Sequence, residues 1–253
     1  MKIQYASDLH LEFHENSRWL RDNPLVPVGD ILVLAGDIGY LGDEMYLKHP
    51  FWNWSADNFE QTLIVPGNHE SYKNFDINEL TEGWSEQIRS NVNVVYNKTV
   101  HLDNVDFILS TLWAKIHPAE AYFVEHGVTD FRRIRNGEYR LSWDRFNDEH
   151  ERCVQFIKRS VEQSSAEKRV VITHHVPSFL LMADEFKGSL INGAFTSDLN
   201  SLIEKLPIDY WIYGHSHRNI DGEIGGTKIV SNQLGYVYAD EIDTFKPDKY
   251  IEL

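Results

Sequence analysis

Short apolar stretches recur along the chain and read as β-strands, either by alternation or by continuous apolar character. Lys2 to Ser7 alternates. Asp30-Ile31-Leu32-Val33-Leu34-Ala35 is an apolar run, the mark of a central strand covered on both faces. Gln61 to Val65, closed by Pro66-Gly67, repeats the pattern, as do Val105 to Ser110, Arg169 to Thr173 and Asp209 to Tyr213. Lys228 to Ser231 and Tyr236 to Ala239 supply late strands around Gly235. Ile77 to Ser90 and Ser142 to Gln163 carry apolar residues at three- and four-residue spacing and are predicted helices, with Ser142 as N-cap. A shorter helix over Ser197 to Leu206 stops at Pro207. Strands alternating with helices argue for an α/β fold built from βαβ units, with an antiparallel or mixed part late in the chain. No repeat or linker interrupts the pattern, so one domain spanning residues 1–253 is expected.

Chemistry collects where these strands end. Asp8-Leu9-His10, Gly36-Asp37, Gly67-Asn68-His69-Glu70, His174-His175 and Gly214-His215-Ser216-His217 each follow an apolar run. In open α/β sheets ligands bind beyond the carboxyl ends of strands. Each motif alone has an ordinary explanation. Asp8 and Asp37 suit turns, and histidines at strand ends are often hydrogen-bonded core residues. Together, in one chain and all at strand ends, they point to carboxylate, amide and imidazole groups holding two divalent metals, a site suited to cleaving phosphoesters. Asp8 and His10 are two apart, so in an extended segment both face one side and reach one metal. His69 adjoins Asn68 and points elsewhere, which makes it a proton-transfer group and not a ligand. Of His174 and His175, His174 directly ends the strand and is the favoured ligand. Glu70 either fixes the His69 ring or serves a turn. Asp130, Arg132 and Arg133 are expected around the site, with Arg132 and Arg133 as the candidate substrate contacts, because an Arg fork suits phosphate; a structural ion pair is the alternative. Trp52 and Trp54 could stack a base, although packing is the commoner fate of such a pair.

Composition narrows the partners. Asp plus Glu number 39 against 24 Lys plus Arg, for a formal net charge of −15, so the surface repels long nucleic acid and favours a small phosphoester; that the acidity serves solubility alone is the alternative. No stretch approaches the ~20 apolar residues of a membrane span. The first motif begins at Asp8, which leaves no room for a cleavable signal peptide, and Cys153 is the sole cysteine; both fit the cytoplasm. Oligomeric state has no signature here.

The ordered set Asp8-x-His10, Gly36-Asp37, Gly67-Asn68-His69-Glu70, His174 and Gly214-His215-x-His217 resembles the calcineurin-like metallophosphoesterase superfamily from Met1 to about Asp240. Ser110-Thr111-Leu112-Trp113, Asp130-Phe131-Arg132-Arg133-Ile134 and Asn232-x-x-Gly235-Tyr236 are similar to a group of small bacterial and phage members. The group's usual Asn-Pro-Arg-Gly-Tyr reads Asn232-Gln233-Leu234-Gly235-Tyr236 here, without the arginine. The resemblance implies a four-layer αββα sandwich of two mixed β-sheets flanked by helices. It implies that Asp8, His10 and His217 hold one metal, Asn68, His174 and His215 the other, and that Asp37 bridges them. Manganese, iron, zinc and nickel all accept such ligands. The activity implied is phosphatase or phosphodiesterase action on a small, nucleotide-like substrate, with His69 meeting the leaving group. A metal-dependent nuclease and a non-catalytic binding module on the same fold are the alternatives; the acidic surface opposes the first and the full ligand set the second.

Overall fold

The structure is a computed structural model and describes residues 1–73 and 75–253. In chain order the strands are β1 (Lys2–Ala6), β2 (Ile31–Leu34), β3 (Gln61–Ile64), β4 (Ser85–Arg89), β5 (Val92–Val95), β6 (Lys98–Leu102), β7 (Val105–Ser110), β8 (Arg135–Asn136), β9 (Tyr139–Arg140), β10 (Lys168–Thr173), β11 (Tyr210–Tyr213), β12 (Gly222–Ile224), β13 (Thr227–Ser231) and β14 (Tyr250–Glu252). The helices are α1 (His14–Asp22), α2 (Glu44–Lys48), α3 (Pro50–Asn58), α4 (Ala121–Gly127), α5 (Asp130–Arg133), α6 (Trp143–Gln163) and α7 (Asn200–Ile203).

Two six-stranded sheets form, ordered β14-β1-β2-β3-β5-β4 and β12-β13-β11-β10-β7-β6. In each, four central strands run parallel and an antiparallel strand closes either edge. Strand side chains alternate, and the alternation builds the layers. Ile31 and Val33 of β2 face Phe107 and Leu109 of β7 and Val170 and Ile172 of β10 in a seam between the sheets. Leu32 and Leu34 face outward onto Leu20 of α1 and Trp52 of α3. Ile108 and Val171 face the other way, onto Phe156, Ile157 and Val161 of α6 and Ile203 of α7. The result is the four-layer αββα sandwich that the resemblance implied. Truncating a fully buried seam residue such as Phe107 to alanine costs about 3–5 kcal/mol. Among the described residues, no helix is long and apolar enough to cross a membrane.

Two predicted elements differ. Ile77 to Ser90 is not a helix. Asp76 and Glu79 form a capping box, but it opens only a single 3-10 turn over Ile77–Glu79. Gly83 then takes φ +82°, and the chain continues as edge strand β4, paired antiparallel with β5. Tyr236 to Ala239 is not a strand. Val237–Ala239 is a 3-10 turn that ends at left-handed Asp240, which swings Glu241 back toward His217. The helix predicted over Ser197 to Leu206 shortens to α7. The long helix forms as expected with Ser142 at the N-cap position, although its hydroxyl makes no cap bond. Trp52 is fully buried and Trp54 packs beside it, so both belong to the core.

Candidate active site

Motif residues leave the carboxyl ends of β1, β2, β3, β10 and β11 and converge: Asp37, Asn68, His69, His215 and His217 line a cleft of about 480 Å³, and Asp8, His10 and His174 are fully buried beside them. The local backbone is not extended. Asp8, His10, Asp37, His215 and His217 all have φ between +47° and +75°, the left-handed region, which Asp and His tolerate better than most residues. Such conformations cost of order 1–3 kcal/mol each and persist only where surrounding structure imposes them. They also overturn the expectation that Asp8 and His10 share a face of an extended segment. The sharp turns need close approach. A Cβ on Gly36, itself at φ +88°, would run into the His174 ring, and one on Gly214 would sit 2.7 Å from Asp8 Oδ2.

Two donor sets result. In the first, His10 Nε2 and His217 Nε2 lie 3.2 Å apart, with Asp8 Oδ1 3.4 Å from His217 Nε2. In the second, His174 Nε2 lies 2.9 Å from Asn68 Oδ1 and 3.1 Å from His215 Nδ1. Asp37 stands between them: its Oδ1 is 3.3 Å from His174 Nε2 and its Oδ2 3.9 Å from His10 Nε2. His175 is not part of either set. Its ring packs against Trp113 and His215, and its Nδ1 faces the Thr111 carbonyl.

The far side of each ring fixes which nitrogen faces inward. His10 Nδ1 meets Glu12 Oε1 at 3.0 Å, His174 Nδ1 meets the Ala35 carbonyl at 2.9 Å, and His217 Nδ1 meets Glu241 Oε2 at 2.6 Å. An N–H donated outward leaves the Nε2 lone pair pointing into the site, the usual arrangement of metal-binding imidazoles. Asn68 is oriented in the same way. Its Nδ2 donates to Asp130 Oδ1 at 2.9 Å, which turns the amide oxygen toward His174.

Lone pairs crowded this closely need a cation or protons between them. Burial opposes charge on His174, yet Asp37 beside it raises it to about 9. Burial likewise opposes charge on His217, and hydrogen bonds to Asp8 and Glu241 carry it to about 10. His10 and His215 go the other way, lowered by burial. His215 Nε2 is buried without a partner among the described residues, so the ring is presented through Nδ1. Asp8, His10 and His217, and separately Asp37, His174 and His215, offer donor atoms all within 4.8 Å of one another. The mixture of imidazole, carboxylate and amide oxygen suits first-row divalent metals.

His69 stands over this arrangement. Its Nδ1–H donates to Glu12 Oε1 at 2.8 Å, its ring leans on Tyr72, and the Tyr236 hydroxyl is 3.3 Å from Nε2. Burial opposes protonation of His69, but Asp37 and Glu12 outweigh it and the pKa is raised. Glu70 does not touch the His69 ring. Its carboxylate accepts backbone N–H bonds from Asp37, Ile38 and Gly67 at 2.7–3.0 Å and so ties two motif loops together. Burial and the Asp37 charge push Glu70 up to about 8.

The two arginines part company. Arg133 lines the cleft, with its guanidinium 5.3 Å over the Tyr72 ring. Arg132 turns away and donates to the His126 carbonyl at 2.8 Å. Neither forms an ion pair among the described residues. Sequence reasoning missed Glu12, Tyr72 and Glu241. Only Glu12 carried a signal, lying two residues beyond His10; Tyr72 and Glu241 are recognisable only once the chain is folded.

Comparison with known proteins follows the same lines. The sequence model described as calcineurin-like phosphoesterase matches residues 1–219. An uncharacterized protein of Acanthamoeba polyphaga mimivirus is 29% identical, over 99% of this chain and 96% of its own length. The crystal structure of a phosphopantetheinyl hydrolase from Mycobacterium tuberculosis superposes with a TM-score of 0.65 at 17% identity, covering 99% of this chain and 95% of that one. At that identity the likeness speaks for the fold.

Proposed function

This chain belongs to the calcineurin-like phosphoesterase family, and from that premise we propose that it hydrolyses a small phosphoester using two divalent metal ions. Asp8, His10 and His217 would hold one ion, Asn68, His174 and His215 the other, with Asp37 between them. The observation that carries this reading is Asp37, whose two oxygens face different donor sets. When bound, such a pair supplies a nucleophilic hydroxide at neutral pH and positive charge for the phosphoryl oxygens.

The chain's own groups do the rest. Glu12 accepts from His69 Nδ1 and favours the charged ring, which leaves the Nε2 proton for the departing oxygen. Tyr236, at 3.3 Å from Nε2, and the Tyr72 ring limit where His69 can swing. Arg133 offers a planar set of donors at the cleft wall for a phosphate oxygen. The same reading takes residues 1–253 as a single domain, because β14 near the chain's end pairs with β1. A net charge of −15 favours a small, nucleotide-like ester over a polymer, and a lone, buried cysteine suits the cytoplasm.

The test is turnover of a panel of phosphomonoesters, linear and cyclic phosphodiesters and single-stranded nucleic acids. Each is assayed with manganese, iron, zinc and nickel at equal phosphate concentration. Small esters should be hydrolysed fastest. A strong polymer preference at physiological salt would instead favour the nuclease reading.

A further inference from the structure

A second cavity, of about 130 Å³, lies against the catalytic cleft. Phe186, Ile191, Phe195 and Ser216 line both spaces, so the two adjoin. Phe195 stacks on the His215 ring at 4.8 Å and 25°, which sets this wall of the annex beside the second donor set. Val176, Leu181 and Met182 form much of the remaining wall. Among the described residues no acid or base lines it, whereas Asp37, Asp130, Arg133 and Glu241 line the cleft. The wall is also fixed in place. Asn192 Nδ2 donates to the Phe186 carbonyl at 2.7 Å. Arg218 lies over the Phe186 ring at 5.4 Å and pairs with Glu185 at 2.7 Å.

An apolar, preformed space beside a polar reaction centre selects for the shape of a substrate's organic group. A cavity of about 150 Å³ accepts a benzene-sized guest, so the annex suits one ring or a short branched chain and is too small for a purine. We propose that the annex is a specificity subsite that takes the uncharged, apolar end of the phosphoester's organic group. This rests on the phosphoesterase reading above and moves its substrate from a nucleotide-like ester to one carrying a small aromatic or branched alkyl group.

Linear alkyl phosphates from ethyl to hexyl, with 3-methylbutyl and 2-phenylethyl phosphate, test it, because their leaving alcohols have nearly equal acidity. Values of kcat/KM should rise about fourfold per added methylene, the worth of burying one such group, and level off once the annex is full. Met182→Trp should move the plateau to shorter chains and Met182→Ala to longer ones. Calorimetric binding of the matching alkylphosphonates to the metal-loaded protein should show the same slope without turnover. A flat dependence on chain length in both measurements, or an equal loss on every ester in Met182→Trp, would overturn the subsite. Graded phosphonate binding with no hydrolysis of any ester would leave the subsite standing and overturn the hydrolase reading. Hydrolysis without grading would do the reverse.

Discussion

One oxygen of Glu12, Oε1, accepts from His69 Nδ1 at 2.8 Å and also from His10 Nδ1 at 3.0 Å. A single carboxylate thus orients the proposed proton donor and a proposed metal ligand together. Burial opposes its ionisation, but the hydrogen bonds from His10 and His69 hold it at about 2, so it is an anion at any working pH. Glu12→Gln removes that charge while keeping the shape. Outer partners of metal-binding imidazoles typically matter by about 10–100-fold, and a loss of kcat on that scale is expected. Unchanged kcat, with unchanged metal content by elemental analysis, would remove Glu12 from the site's working parts.

Asp37 stands between the two donor sets, buried and at φ +56°. Asp37→Ala should lose at least one metal and nearly all turnover while circular dichroism stays that of the parent. Two metals per chain in this variant would refute a bridging role.

His69 should behave differently. It lines the cleft with the Tyr236 hydroxyl 3.3 Å from its Nε2, and its proposed role as proton donor predicts that metal retention does not depend on it. His69→Ala is expected to keep both metals and to slow turnover by about 10²–10⁴-fold, the usual contribution of a general acid. The loss should be smaller for nitrophenyl esters, whose leaving group needs little protonation. An equally deep defect for good and poor leaving groups would argue against proton transfer by this ring.

Protons and metal should compete. His174 and His217 are raised to about 9 and 10 from an ordinary 6.5. In chelator-treated protein their charge therefore adds stability that is complete below pH 6.5 and lost as pH rises through 9 to 10. Metal replaces those protons, so reloading at pH 7 should release them, with no contribution from His10 or His215, which burial keeps neutral. Calorimetry in buffers of different ionisation enthalpy measures the release, and apparent metal affinity should rise with pH. Binding without proton release would contradict these assignments.

The arginines offer a paired control. Arg133 lines the cleft while Arg132 bonds to a backbone carbonyl outside it. Arg133→Ala should lower kcat/KM about tenfold, in line with one charge-assisted hydrogen bond. Arg132→Ala should stay within about twofold on the same principle, since it loses only a surface contact. Equal effects in steady-state kinetics would dissolve the distinction.

The apolar runs of β1, β2, β3, β7, β10 and β11 were readable in sequence because strands buried on both faces leave an unbroken hydrophobic record. The motifs were readable because each sits at the end of such a run, where open α/β sheets gather ligands. Local pattern failed where local and distant forces disagreed. Ile77, Leu80, Trp84 and Ile88 keep helical spacing, yet Gly83 and pairing to β5 make the last of them part of a strand. At Tyr236 to Ala239 the chain turns, and Glu241 then holds both His217 Nδ1 and the Tyr236 N–H.

The sequence by itself determined an α/β fold and which side chains could meet at the carboxyl ends of its strands, since both follow from periodicity and strand order; the division into two sheets was implied only by the family resemblance. Only the tertiary structure decided the rest. Left-handed turns aim Asp8, His10, Asp37, His215 and His217, and packing imposes these conformations on residues whose type only tolerates them. Glu12 and His69 are 57 positions apart in the chain, and Glu241 and His217 are 24 apart. No local pattern records a hydrogen bond between residues that distant, because it exists only after the sheets have closed against each other.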